Sequence, residues 1–497
     1  VGTLWAGTDD GLIWLTRDGG EKWNEITPKE LTPWSKVTQI AASHFDDDSA
    51  YASVSRFRIN DLRPYIYRAH DGGKTWKLIT SGLPDFGPVD AVREDPVRKG
   101  LLFAGTENSV WVSFDDGDRW QSLQLNLPHT SMRDLWIHDD DLIVATHGRS
   151  FWILDDIAPL REASASLASE PAHLFTPAQA WRIQRNTNTD TPLPPDEPAA
   201  ANPPDGAILD YYLAHATSSP ITIEIRDVRG QLVRRFSSAD QPDITDAELQ
   251  KQLIPLYWIR PARTLSAEAG MHRWVWDLHY TPPVAVRHEY PIAAIPGDTP
   301  RLPLGPTALP GQYTARLTVG GKTYTAPLTV KMDPRVKTSP AHLEKKFQTE
   351  TRLSALMSQT SEAVLQAGSM RDQLQKLEEQ ATGATKDSVQ AFQKEIAALL
   401  GGPPGPFSSA TEQTTLSQVS GHVTTLYGQV WPVDAEPTVA QFDAVAATED
   451  EAAQLIKRWE TLKSDLRALN GELRAAHLPE VKPESDAHKE EAPLDEE

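Results

Sequence analysis

Over the first 160 residues, apolar and polar positions alternate in short runs, and each run ends at a turn signal. Runs such as "GLIWLT", "YIYRA" and "SVWVS" are rich in β-branched and aromatic residues, the pattern of half-buried strands. "KVTQIAAS", "SAYASVSRF", "PYIYRAH" and "KTWKLIT" form one set of four, and "VDAVRED", "LLFAGTE", "SVWVSFD" and "DRWQSLQ" form the next. The set before them, "GTLWAGTDDGLIWLTRDGGEKWNEIT", shows only the last three strands; the set after, "MRDLWIHDDDLIVATHGRSFWILDDI", shows only the first three. Antiparallel four-stranded sheets repeated at roughly 45 residues are the signature of propeller blades. Residues 1–160 are therefore predicted to form a partial β-propeller of about 3.5 four-stranded blades.

The alternation stops in a Pro-rich linker, expected over 161–207 and densest in "TPLPPDEPAAANPPDG", then resumes. "AILDYYLA", "ITIEIRDVRGQLVRRF", "HRWVWDLHY", "GQYTARLTV" and "KTYTAPLTV" predict an antiparallel immunoglobulin-like β-sandwich over 208–335, with Trp274 and Trp276 sharing one packed face. After "KMDPRVKTSP" the period becomes helical. Leu455, Trp459, Leu462, Leu466, Leu469 and Leu473 recur at intervals of four and three, a seam for another helix. Helices near 340–380, 384–400, 409–430 and 438–476 predict a helical bundle over 338–477, with a capping box at "SATE" and a role in bracing the sandwich or in self-association. Residues 478–497, polar and acidic, are expected to be a disordered tail. The fold class is thus mainly β with a C-terminal α region.

Three turns share a pattern. "TRDGGEKW" (16–23), "AHDGGKTW" (69–76) and "SFDDGDRW" (113–120) align Asp18, Asp71 and Asp115, then Gly20, Gly73 and Gly117, then Trp23, Trp76 and Trp120. The Asp accepts bonds from backbone N–H groups within the turn, the Gly takes positive φ, and the Trp opens the returning strand with a large apolar face. Their spacing is that of a repeated structural unit, so a structural role is assigned to all nine residues.

These boxes resemble the Asp-box, or bacterial neuraminidase repeat, of sialidases and sortilin-type domains. "RFRINDLRPYIYRAHDGGKTW" and "LIVATHGRSFWILDDIAPL" resemble more closely a group of large bacterial secreted proteins labelled glycosyl hydrolase or sortilin-like. That resemblance implies a long propeller, a β-sandwich and a helical tail, of which this chain is the C-terminal portion. Ala69 stands where a Ser or Thr is usual in the box, and the fourth repeat has no box. Since propellers close with four to eight blades, an N-terminal propeller half and its signal peptide are expected upstream, and the location is expected to be extracytoplasmic, secreted or periplasmic.

Composition narrows the chemistry. A net charge of −21 over 497 residues argues against nucleic acid as a partner, and no apolar run is long enough to span a membrane. The absence of Cys excludes thiol catalysis and disulfides. Acidic turns at 46–48 and 138–142 are read as solvated, so no metal and no cofactor is expected.

Strand order sets the boxes on one face and the loops between second and third strands on the other. Those loops carry Asp9, Asp10, Arg56, Arg58, Asp61, Arg63, Glu107, His147 and Arg149. Arg56, Arg58, Asp61, Arg63, Glu107, His147 and Arg149 are the candidate ligand-binding residues, because a basic cluster in an acidic chain suits a carboxylate or an acidic glycan. The competing reading is that these arginines pair with the neighbouring acids. "FRIN" (57–60) matches the sialidase Phe-Arg-Ile-Pro signature except at Asn60, and no catalytic residue is assigned. The function expected is a non-catalytic binding scaffold for a glycan, peptide or protein. The alternative is a sialidase-like glycoside hydrolase whose catalytic residues lie largely upstream.

Overall fold

A computed structural model describes residues 2–184, 194, 196–197, 200, 202–242, 244–293, 295–401 and 414–484. It is strand-rich, with several small antiparallel sheets and a helical C-terminal region. The chain divides into two compact units. The first comprises Val1–Ala178, Asp210–Ala216 and Ala269–Arg273; the second comprises Gln179–Leu209, Thr217–Glu268 and Trp274–Glu497.

The first unit contains four meanders in chain order. Sheet one is β1 (Leu4–Gly7), β2 (Ile13–Thr16) and β3 (Asn24–Glu25). Sheet two is β4 (Lys36–Ala42), β5 (Ala50–Arg56), β6 (Asp61–Ala69) and β7 (Lys77–Leu78). Sheet three is β8 (Val89–Glu94), β9 (Leu102–Thr106), β10 (Val110–Ser113) and β11 (Gln121–Ser122). Sheet four is β12 (Met132–His138), β13 (Asp141–Thr146) and β14 (Phe151–Leu154).

Period-two alternation gives every sheet two apolar faces, and each sheet packs its far face on the near face of the next. Ile13 of sheet one meets Val37, Ala52, Val54, Tyr65 and Tyr67. Tyr51 and Ile66 of sheet two meet Val89, Val92, Leu102 and Ala104. Ala91, Phe103, Val110 and Val112 of sheet three meet Met132, Leu135, Leu142 and Val144.

The boxes rivet this stack. Asp18 Oδ1 accepts from the Lys22 N–H at 2.9 Å, Asp71 Oδ1 from Thr75 at 3.0 Å, and Asp115 Oδ1 from Arg119 at 2.9 Å. Thr16 and Ser113 each donate a hydroxyl to their box Asp and accept from the box Gly, a link that Ala69 cannot make. The indole N–H of Trp76 donates to Ile26 O at 2.6 Å, and that of Trp120 donates to Ile79 O at 2.7 Å. Ile26 and Ile79 each lie three residues beyond the Trp of the preceding box, so each box reaches back one sheet in the same way. Gly73 and Gly117 lie against those same isoleucines at positive φ, leaving no room for a Cβ.

Sheet four has no box. Helix α1 (Ala158–Glu162) follows it instead and is tied to sheet three: Arg161 pairs with Asp95 at 2.9 Å, and Arg98 donates to the carbonyls of Leu160, Arg161 and Ala163. Range 161–207, expected as a linker, contains strands β15 (Ala172–Leu174) and β16 (Ala180–Arg182). Both are three-residue runs too short to show in the alternation. Within this unit β15 pairs antiparallel with Tyr211–Leu213 of β17 (Ala207–Leu213). Residues 191–193, 195, 198–199 and 201 of the Pro-rich segment lie outside the described residues.

In the second unit, β18 (Thr222–Asp227), β19 (Leu232–Ser237), β21 (Gly311–Val319) and β22 (Lys322–Met332) join β16 in a five-stranded sheet ordered β16-β22-β21-β18-β19. β16 runs parallel to β22, a departure from the antiparallel sheet expected. The β21–β22 hairpin turns on Gly320 and Gly321, both at positive φ, as a two-residue hairpin requires. In β20 (Gly270–Trp276), Trp276 is fully buried edge-on to Tyr313 and Trp274 packs on Phe236.

A short α2 (Asp246–Leu249) precedes the long helices α3 (Pro340–Glu378), α4 (Gly383–Leu400), α5 (Leu416–Val430) and α6 (Val439–Ala475). The seam from Leu455 to Leu473 is buried as its period predicts. α5 starts later than expected. Thr415 and Gln418 form its capping box, and the expected box at 409–412 lies outside the described residues. The tail departs from disorder at its start: Val481 is buried, its N–H and C=O bonded to the Asn470 side chain, and Lys482 exchanges two bonds with Gln373. Residues 485–497 are outside the described residues. No described helix is long and apolar enough to cross a membrane.

Candidate functional site

The connections into each inner strand and the loops between second and third strands share one face of the first unit, and two groups of side chains gather there. The first surrounds the longest loop. Phe57–Ile59 makes a single 3-10 turn ended by Asn60 in the left-handed region, which brings Asp61 back under Arg56. Asp61 is the hub. It accepts both Arg63 nitrogens at 2.9 and 2.8 Å and the Tyr65 hydroxyl at 2.7 Å, and pairs with Arg56 at 3.1 Å. The Arg63 hydrogen bonds, aided by Tyr65 and Arg56, hold its carboxyl well below the usual range. Arg56 also donates to Tyr65 and to Thr32. Arg58 turns away to Asp9 at 2.9 Å, and Lys36 approaches the same carboxylate at 3.5 Å.

Next to this network is an open cleft of about 490 Å³, lined by Asp10, Glu25, Thr27, Lys29, Thr32 and Trp34 among others. Trp34 is 62% exposed and sits in the left-handed region at φ 66°, fixed by its N–H donating to Asp10 O at 2.8 Å. A bulky residue held with positive φ and its ring in solvent costs conformational energy that packing does not return, a mark of a functional position.

The second group is at sheets three and four. Glu107 and Asp90 converge on one hydroxyl: Ser131 Oγ is 3.0 Å from Glu107 Oε2 and 3.2 Å from Asp90 Oδ2. Arg133 approaches both, at 3.3 Å to Asp90 and 3.7 Å to Glu107. Burial pushes the Asp90 carboxyl above its ordinary value despite Arg133.

The seven candidate residues therefore do not form one cluster. Arg56, Asp61 and Arg63 meet; Arg58 joins Asp9; Glu107 belongs with Asp90, Ser131 and Arg133. His147 and Arg149 are exposed, and their loop is closed by backbone bonds and Thr146. Trp34, Asp90, Ser131 and Arg133 were not singled out from sequence. For Trp34 the signal is a Trp between Pro33 and Ser35, outside any strand run. Of the acidic turns, Asp48 is bonded to Arg17 and Asp46 to Lys99. Among the described residues there is no group of three or more His, Asp or Glu side chains arranged to hold a metal.

No family model matches the chain. It is 26% identical over 107 residues to the oligoxyloglucan-reducing end-specific xyloglucanase of Emericella nidulans, covering 21% of this chain and 13% of that protein. It is 27% identical over 114 residues to vacuolar protein sorting/targeting protein 10 of Pyrenophora teres f. teres, covering 22% of this chain and 7% of that one. The chain thus spans a small fraction of the length of these relatives, and about a fifth of it resembles a glycosyl hydrolase and a Vps10 sorting protein. Among solved structures, the GH74 xyloglucanase from Xanthomonas campestris aligns with TM-score 0.26 and 17% identity over 32% of this chain and 27% of that one. The Niastella koreensis GH74 enzyme aligns with TM-score 0.27 and 12% identity over 67% of this chain and 49% of that one.

Proposed function

We propose that the four meanders are blades of an extracytoplasmic Asp-box propeller, glycosyl-hydrolase-like and sortilin-like, and that the chain binds a glycan without needing to cleave it. Trp34 carries the reading. Its ring stands in solvent over a cleft rimmed by Asp10, Glu25 and Lys29, an apolar plate beside hydrogen-bonding groups, which is what a pyranose with one apolar face and a polar edge requires. The arginines nearby are held by Asp61 and Asp9, while the cleft itself is lined by Asp10 and Glu25 with Lys29, which favours a neutral glycan over the acidic ligand expected from sequence. Because a relative is named for xyloglucan oligosaccharides, these are the first ligands to try. In calorimetric titration the wild type is expected to bind a β-glucan or xyloglucan oligosaccharide, and Trp34→Ala to lose tenfold or more in affinity at unchanged melting temperature. Equal affinity in the two proteins would remove the platform.

The Asp90–Glu107 pair favours a second reading, hydrolysis. Two carboxyls sharing one hydroxyl, one of them raised by burial, have the form of an acid–base pair. On this reading oligosaccharide cleavage disappears in Asp90→Asn and in Glu107→Gln while binding at Trp34 persists; a wild type that binds but never cleaves excludes it.

A further inference from the structure

The connections that lead into the inner strands of sheets two, three and four repeat one another. β4, β8 and β12 each open with the same irregularity of pairing, between Val37 and Gln39, between Val89 and Ala91, and between Met132 and Asp134. Counting back three residues from Val37, Val89 and Met132 gives Trp34, Phe86 and His129, all of them exposed. Phe86, at 57%, keeps its ring in solvent almost as fully as Trp34. Asp85 beside it is exposed, and the exposed Asn108 amide lies against Gly87 of the same connection. One loop joins the connections that carry Trp34 and Phe86. On one side Arg56 donates to Thr32 Oγ1 at 2.9 Å, and on the other the Gly87 N–H donates to Leu62 O at 2.9 Å. The Trp34 N–H is bonded in turn to Asp10 of the preceding sheet, so each connection leans on the loop before it in the same way.

We propose that Phe86 is a second stacking plate, so that a bound glycan runs as one chain from the Trp34 cleft over the loop at 56–62 to Phe86. This rests on the glycan reading of Trp34 and adds to it the length and course of the ligand. A single exposed Phe is ordinary on a protein surface; its recurrence at the position equivalent to Trp34 is what marks it. Beside the Asp85 carboxylate and the Asn108 amide, the phenyl ring offers a sugar the same apolar plate and hydrogen-bonding edge that Trp34 offers with Asp10, Glu25 and Lys29. Arg63, at the end of the joining loop, is exposed yet fixed by Asp61, a donor held in place for sugar hydroxyls. Sheets packed face to face lie about 10 Å apart, so equivalent positions on neighbouring sheets are farther apart than the width of one sugar ring. A short sugar therefore reaches one plate. A chain of several sugars reaches both, and its second contact is made within a complex already formed. At His129 the series loses its large apolar ring, so the stacking surface ends at Phe86.

Calorimetric titration with cello-oligosaccharides from cellobiose to cellohexaose tests this. The wild type is expected to bind cellohexaose at least tenfold more tightly than cellobiose. Phe86→Ala is expected to bind cellobiose as the wild type does and to lose fivefold or more in affinity for cellohexaose, while Phe86→Tyr keeps the gain from chain length. Trp34→Ala is expected to bind both sugars more weakly. Since both rings stand in solvent, all three variants are expected to melt at the wild-type temperature. A Phe86→Ala variant that keeps the wild-type dependence on length overturns this inference and leaves the Trp34 cleft standing. A wild type whose affinity is the same for every length overturns it as well. A wild type that binds no member of the series overturns it together with the glycan reading on which it rests.

Discussion

Trp120 and Trp23 occupy the same position of the same motif, yet one is 2% exposed and the other 40%. The difference is whether a preceding sheet lies beneath the ring. Trp120→Ala therefore removes a buried indole and its bond to Ile79 O, and is expected to cost about 3–5 kcal/mol, while Trp23→Ala costs under about 1 kcal/mol. Urea unfolding of both variants decides, and equal losses would contradict the sheet-to-sheet role. Asp71→Ala loses two bonds to Thr75 at an exposed turn, an expected cost of about 1 kcal/mol. Asp90 gives a pH signature. Burial raises its carboxyl above the ordinary value, so the folded protein holds that proton more tightly than the unfolded chain, and its stabilising effect is present at low pH and lost as pH rises. The stability of wild type relative to Asp90→Asn is expected to fall as pH rises above about 4; a flat difference would contradict the assignment. At this scale the box residues were legible, because a turn is a local device. The pairing of the loop arginines with Asp9 and Asp61 was open to the sequence as the competing reading, since acids and arginines sit in neighbouring loops. The meeting of Asp90, Glu107 and Ser131 was not, because those partners come together only when separate loops fold onto one face.

Helices and meanders were legible to the extent that their periods are local. The seam from Leu455 to Leu473 predicts the buried side of α6, and the strand runs predict the three inner strands of sheets two and three closely, whereas the seven-residue runs at 74–80 and 118–124 form only the two-residue strands β7 and β11. Strand β16 was not legible, since a three-residue strand carries no period and its parallel partner β22 is remote in sequence. The same is true of the buried charge cluster that joins helices and sheet in the second unit. Lys346 and Glu350, one turn apart on α3, are both buried and bonded at 2.5 Å, and Lys346 also donates to Trp431 O. Arg182 of β16 pairs with Asp434 at 2.5 Å and donates to Ala308 O. In sequence the four read as ordinary surface charges; in the fold they are an electrically balanced set away from water. Glu350→Ala leaves Lys346 buried without its partner and is expected to cost about 3–5 kcal/mol, read as a large drop in the urea midpoint. Replacing Lys346 and Glu350 together by Met and Leu is expected to recover most of that loss, and failure to recover would mean that shape, not charge, governs the contact.

For the whole molecule, the acidic balance and the lack of Cys exclude broad classes of function without naming a ligand. The narrower proposal rests on one ring, the exposed Trp34 in the cleft beside Asp10, Glu25 and Lys29. Composition gave no sign of it, because 15 tryptophans are spread over the chain and only the fold separates those that pack from the one placed in solvent in a left-handed backbone. The most direct measurement is a crystal structure of the protein soaked with a xyloglucan oligosaccharide. The account predicts a sugar ring stacked on the Trp34 indole with hydroxyls reaching Asp10, Glu25 or Lys29; an oligosaccharide bound instead beside Asp90 and Glu107, with the Trp34 cleft left vacant, would contradict it.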